Sequence, residues 1–189
     1  MIEAEYKARL MDADAVRKKL TERAVTEVVS YHDVYFDDPG ESLTATGREL
    51  RLRTIHSDDG STRHLLTFKD PAVESGSGSK PEYETDVEQR DMMEQIITRL
   101  GYQRLISFTK KCENHRFTAA GRDMLATIVT IPEIDGTFLE LETHIDTTDD
   151  LDNALADLRI VLAAVGVSPD QLTTELYTDA VAASRRKGQ

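Results

Sequence analysis

The 189-residue chain contains one cysteine and no tryptophan. Cys112 cannot form an internal disulfide, and no Cys/His cluster has the spacing of a zinc site. A disulfide scaffold and a zinc module are thereby excluded, and a cytoplasmic location is expected. The five histidines are scattered, and none pairs as HxH or HxxxH. No apolar run approaches the ~18 residues of a membrane span, so no membrane partner is expected. The first informative strand begins at Glu3, so no removable leader is expected either. Basic charge is scarce: 23 Lys and Arg against 35 Asp and Glu give a net charge of −12. That balance argues against a nucleic-acid duplex as partner, but it leaves room for a local basic cluster that binds a nucleotide. No aromatic residue is identifiable as a platform for stacking a base.

Several strands carry charge on one face. In Met1-Ile2-Glu3-Ala4-Glu5-Tyr6-Lys7-Ala8-Arg9 one face reads Glu, Glu, Lys, Arg and the other Ile, Ala, Tyr, Ala, because side chains alternate with period two. The pattern recurs at Arg51 and Arg53, at Glu82 and Glu84, and at Glu140 and Glu142. Lys69 ends an apolar strand, and Lys110 and Arg116 share a face with Cys112 and Asn114 between them. One such strand is ordinarily a half-exposed one. The recurrence, with both signs of charge, points to a shared interior.

Asp12 is placed to cap a helix with Val16 and Leu20 on one face. Extended segments follow at Glu27 to Asp37, Arg48 to His56, His64 to Lys69 and Lys80 to Glu88, with Asp58-Asp59-Gly60-Ser61 as a hairpin turn. Glu74 to Ser79 reads as a flexible loop. Met92, Met93, Ile96, Ile97 and Leu100 have helical spacing, closed by Gly101. Gln103 to Phe117, Asp123 to Ile131 and Thr137 to Ile145 read as three more strands. An apolar stripe from Leu151 to Val165 then ends at Gly166, and Ser168-Pro169 is expected to start a further helix.

The sequence thus predicts an α+β fold: an eight-stranded antiparallel β-barrel, or tunnel, with helices packed outside on the apolar strand faces. The single domain is expected over residues 1–183, with a flexible C-terminal tail over 184–189. A barrel turned this way has a charged lumen, which implies a ligand. A triphosphate fits, since guanidinium and ammonium groups suit its oxygens. Carboxylates two residues apart supply hard oxygen ligands for Mg²⁺ or Mn²⁺.

Glu3-Ala4-Glu5-Tyr6-Lys7 forms an ExExK signature. In order along the chain follow HDVYFD from His32, ELRLR from Glu49, LTFK from Leu66, KPEYE from Lys80, GTFLELE from Gly136 and LYTD from Leu176. Over residues 2 to about 181 the chain resembles the CYTH superfamily of triphosphate tunnel metalloenzymes, which includes class IV adenylyl cyclases, thiamine triphosphatases and tripolyphosphatases. The resemblance implies metal on Glu3, Glu5, Glu140 and Glu142. It implies phosphates on Lys7, Arg51, Arg53 and Lys69, of which Lys7, Arg53 and Lys69 are expected to take part in catalysis. Glu82 and Glu84 would be further tunnel acids.

The sequence departs from the family pattern in two strands. Cys112 stands at the Arg of a Lys-x-Arg pair, so Lys110 with Arg116, or a register using Lys111, would have to compensate. Lys80 stands where an Arg usually precedes the Glu pair. Tyr35, Phe36 and Tyr177 read as packing residues, Cys112 as a quiet interior thiol, and His32 and His144 as structural. The resulting expectation is an enzyme converting ATP to cyclic AMP and pyrophosphate. A tripolyphosphatase or thiamine or nucleoside triphosphatase, and a non-catalytic triphosphate-binding module, are the alternatives, and a homodimer stays open.

Overall fold

The computed structural model describes residues 1–188. Eight strands close into an antiparallel barrel: β1 (Ile2–Arg9), β2 (Thr26–Asp37), β3 (Glu49–Ser57), β4 (Thr62–Lys69), β5 (Lys80–Asp86), β6 (Gln103–Ala119), β7 (Arg122–Thr130) and β8 (Thr137–Ile145). Around the ring the order is β1-β5-β4-β3-β2-β6-β7-β8. The seam between β1 and β5 is short, with only Ile2 opposite Pro81 and Glu3 opposite Lys80.

The helices are α1 (Ala13–Thr21), α2 (Ser42–Ala45), α3 (Arg90–Arg99), α4 (Leu151–Val165) and α5 (Tyr177–Lys187). The Asp12 side chain accepts from the Ala15 N–H and so caps α1. The alternation of β1 decides where α1 and α4 sit. Ile2, Ala4, Tyr6 and Ala8 bury their outward face against Val16 and Leu20 of α1 and Leu155, Leu158 and Leu162 of α4. Gly166 ends α4 at φ 95°, a conformation that glycine adopts without steric cost. On the other side Ile97 of α3 covers Val34, Phe36 and Leu52. The expected plan of helices outside and charged strand faces inside is the plan observed.

Four expectations need correction. Ser168-Pro169 opens only a single 3₁₀ turn, and the last helix begins at Tyr177, after an extended run. Arg185 to Lys187, expected as a frayed tail, form the last turn of α5, where Arg185 binds Glu133 and donates to the Ser107 carbonyl. The apolar stripe of α3 is half uncovered, since Met92, Ile96 and Leu100 are exposed and only Ile97 is buried. Nor is the lumen charged throughout. Tyr31, Tyr35, Phe108, Cys112, Val129 and Phe138 fill one side of it with Tyr177 of α5, because an eight-stranded interior is just wide enough for side chains to fill. The cavity is left beside them, with Tyr35 and Tyr177 in its lining.

Candidate active site in the barrel lumen

Strand register brings the charged residues together. Directly opposite one another across β1 and β8 stand Glu5 with Glu142 and Lys7 with Glu140, and Glu3 faces His144. On the far wall Asp33 lies opposite Arg53, Tyr35 opposite Arg51, and Lys69 opposite both Glu49 and Glu82. Acid against acid across a strand pair is repulsive, and Glu5 with Glu142 is such a pair.

Glu3, Glu5 and Glu142 offer carboxylate oxygens that all lie within 4.8 Å of one another. Burial and the charges of Glu3 and Glu140 push the Glu5 carboxyl up to about 8. Burial, with Glu3 and Glu5, raises Glu142 well above its ordinary value. Burial also works against Glu3, but the Lys69 ammonium and hydrogen bonds with Glu82, Lys69 and Glu142 outweigh it and hold that carboxyl below the usual range. Three hard oxygen donors unable to carry their full charge unaided suit a divalent cation of the Mg²⁺ or Mn²⁺ kind. Glu140, expected as a fourth ligand, is outside this close set, although its charge reaches Glu5 and Glu142, and it faces Lys110 at 3.7 Å.

A cavity of ≈ 300 Å³ opens beside the trio, lined by Lys7, Arg51, Lys69, Lys80 and Lys110 together with Glu5 and Glu140. Five cations reach one small space. Lys69 is bound to Glu3 and lies 3.0 Å from Glu82, and these partners keep it protonated well above its ordinary range against the cost of burial. Arg51 is the guanidinium of this cavity and is lightly engaged, with one 3.2 Å bond to Thr67 and Glu84 at 3.8 Å. Lys80 pairs with Glu49. Burial, with a contribution from the Lys110 charge, lowers Lys7 despite the opposing acids Glu140 and Glu5, and its ammonium reaches the Glu175 carbonyl. Glu82 lies against Lys69, and Glu84 against Arg51 and Thr67.

Two proposed phosphate ligands are placed differently. Arg53 is outside the cavity lining, and Nε and Nη2 donate to Asp33 at 2.7 and 2.8 Å while its guanidinium stacks 4.3 Å over Tyr31. Arg116 is exposed and lines a separate cavity with Glu142 and His144. Lys110 alone serves the cavity from β6. Lys111 is exposed, and burial pushes the Cys112 thiol up to about 12, so that it is inert.

Other residues were not singled out as functional from sequence. Asp33 is fully buried, and the Arg53 guanidinium overcomes the burial penalty and holds its carboxyl far below its usual value. Its position in HDVYFD, alternating with Tyr31 and Tyr35, was the available signal. Tyr177 is more than packing, because the Lys7 and Lys110 ammonium groups lie 4.5 and 4.4 Å from its ring centroid. The 74–79 loop is folded onto the site instead of swinging free. Ser79 accepts from the Glu5 N–H, Gly78 donates to the Glu5 carbonyl, and Ser77 and Ser79 are buried.

No helix is long and apolar enough to cross a membrane among the described residues. A protein of Methanocaldococcus jannaschii provisionally named as an adenylate cyclase is 26% identical over 181 residues, spanning 95% of this chain and 98% of its own. The adenylate cyclase CyaB of Aeromonas hydrophila is 27% identical over 180 residues, 93% of this chain and 86% of its own. A Hippeastrum protein, provisionally an adenylyl cyclase and described as revealing a dominant triphosphatase activity, has a similar fold at 16% identity. Its TM-score is 0.62, with 100% of this chain and 97% of that one covered. The sequence pattern that defines the CYTH domain matches residues 1–177, a span containing the whole barrel, the acidic trio and all five cavity cations, and the chain belongs to the CYTH domain family.

Proposed function

We propose that this protein is a divalent-metal-dependent enzyme acting on a triphosphate held in the barrel lumen, with conversion of ATP to cyclic AMP and pyrophosphate as its reaction. The observation that carries the reading is the convergence of Lys7, Arg51, Lys69, Lys80 and Lys110 on one cavity that also touches the Glu3–Glu5–Glu142 trio. A bare ring of cations would suffice for binding. A crowded carboxylate trio beside it is costly in an empty barrel and argues for catalysis over a binding module.

Glu3, Glu5 and Glu142 would hold a cation of the Mg²⁺ or Mn²⁺ type, which when bound supplies charge neutralisation at the reacting phosphoryl group. Arg51 offers guanidinium donors to phosphate oxygens in a fixed fork. Lys69 and Lys110 add point charges to the same oxygens. Because these groups are buried and already oriented, charge building up on the phosphoryl oxygens meets donors that need no reorganisation. Tyr177 packs its ring against the Lys7 and Lys110 ammonium groups and so holds them at the cavity.

The names of the archaeal and Aeromonas relatives support the cyclase reading. The activity described for the Hippeastrum protein favours a second reading, in which water attacks a terminal phosphorus. Incubation with ATP, thiamine triphosphate and tripolyphosphate, each with Mg²⁺ and with Mn²⁺, separates the two by product. Cyclic AMP with pyrophosphate is expected. Orthophosphate alone, fastest from tripolyphosphate, would replace the cyclase with the hydrolase, and binding without turnover would leave the module.

A further inference from the structure

The outer face of α3 carries apolar side chains that the barrel leaves uncovered. Met92, Ile96 and Leu100 are 51%, 46% and 71% exposed and follow one another at successive turns along a single stripe. The apolar surface continues past the helix. Leu50 packs against the cluster under α3, and Phe68 stands opposite both Leu50 and Tyr83, which is itself 58% exposed. An exposed apolar patch rimmed by polar residues marks a contact surface.

The charges beside the stripe indicate what covers it. Asp91, Gln95 and Arg99 each precede a stripe residue and form a parallel polar row, all three exposed. Elsewhere on α3 charge is matched within the chain, since Glu94 binds both Arg90 and Arg104. Arg99 forms no ion pair among the described residues, and Asp91 has only the adjacent Arg90, with its own side chain 92% exposed. The row therefore reads acid, amide, base, which is its own complement when reversed.

We propose that α3 is the centre of a two-fold interface between two copies of this chain, with the helices antiparallel about Ile96. In that register Ile96 meets the second copy's Ile96, Met92 meets Leu100, Asp91 meets Arg99 and Gln95 meets Gln95. A two-fold contact sets each residue pair twice, so two Asp–Arg pairs flank the apolar stripe. A foreign partner would have to carry the reversed order of charge in its own sequence, whereas a second copy presents it by symmetry. Ten residues of helix are too few for a stable contact, which buries about 1,200 Å² or more. The Leu50–Phe68–Tyr83 row widens it, with Tyr83 as the aromatic anchor. The inference does not depend on the triphosphate reading of the lumen.

The test is sedimentation equilibrium of the full chain at concentrations up to about 100 µM, with melting curves to check that each variant folds. The parent is expected to dimerise with a dissociation constant of about 10 µM or tighter. Ile96→Glu, which sets two carboxylates against each other on the two-fold axis, should be monomeric. Asp91→Arg and Arg99→Asp should each weaken the dimer at least about tenfold, because two attractive pairs turn repulsive. The double variant should return to within about threefold of the parent. A monomeric parent, or a dimer that survives Ile96→Glu, would overturn the interface. Single reversals without effect, or a double variant no tighter than the singles, would overturn the antiparallel register.

Discussion

Arg53 and Asp33 form a bidentate ion pair inside the barrel, with Nε and Nη2 donating to the two carboxylate oxygens at 2.7 and 2.8 Å. The Asp33 side chain is wholly inaccessible and that of Arg53 nearly so. A partner stranded alone there would be a buried, uncompensated charge. Asp33→Asn and Arg53→Met are each expected to destabilise the protein by about 3–5 kcal/mol, and the double variant by clearly less than the sum. Urea unfolding of the four proteins measures this. Strict additivity would mean that the two groups do not depend on each other.

Arg51, two residues away on the same face, is expected to behave in the opposite way. With only Thr67 and a distant Glu84 as partners, it remains available to ligand. Arg51→Ala should weaken binding of tripolyphosphate by about 2–4 kcal/mol, with less loss of stability than either change in the Arg53–Asp33 pair. Titration calorimetry supplies the affinity. An affinity equal to that of the parent would make Arg51 a structural residue of β3.

Metal dependence should track the trio and not Glu140. In Glu5→Gln the rise in melting temperature on adding Mn²⁺ should vanish, while the metal-free protein is as stable as the parent or more so, since one of three crowded carboxylates is gone. Glu140→Gln should keep most of the Mn²⁺ shift, because Glu140 faces Lys110 and lies outside the close set of three. A full shift in Glu5→Gln, or its loss only in Glu140→Gln, would reverse the assignment.

His115 gives the fold a sensitivity to mild acid. Its side chain is fully buried on the outward face of β6, and burial, aided by Arg17, lowers its pKa despite Glu113 and the Ala24 backbone. The unfolded chain takes up a proton near pH 6.5, whereas the folded one resists until lower pH. Stability from this group is therefore complete above about pH 6.5 and falls as pH drops through the folded value. His115→Leu should remove that component, so its melting temperature should fall less than that of the parent between about pH 6.5 and 5. Parallel curves would show that His115 titrates alike in both states.

The barrel was legible because period-two charge marks the inside of a strand as clearly as period-two apolarity marks its outside. Glu3, Glu5 and Lys7 reached the lumen on that argument alone. Partner choice was hidden. Whether Arg53 serves a ligand or Asp33 depends on the β2–β3 register, and the separation of Glu140 from the acidic trio depends on Lys110, 30 residues away in sequence. Tyr177 read as packing because an aromatic residue in a helix is usually core; only the geometry brings two ammonium groups onto its ring. The 74–79 loop, rich in Gly and Ser, carries its order in backbone bonds to Glu5, which composition does not encode.

The most direct test of the central claim is a crystal structure of the protein with Mn²⁺ and a non-hydrolysable triphosphate, read by the anomalous signal of the metal. The account predicts manganese on the carboxylates of Glu3, Glu5 and Glu142 and phosphate oxygens against Arg51, Lys69 and Lys110. Manganese bound elsewhere, or a triphosphate lying outside the barrel, would contradict it.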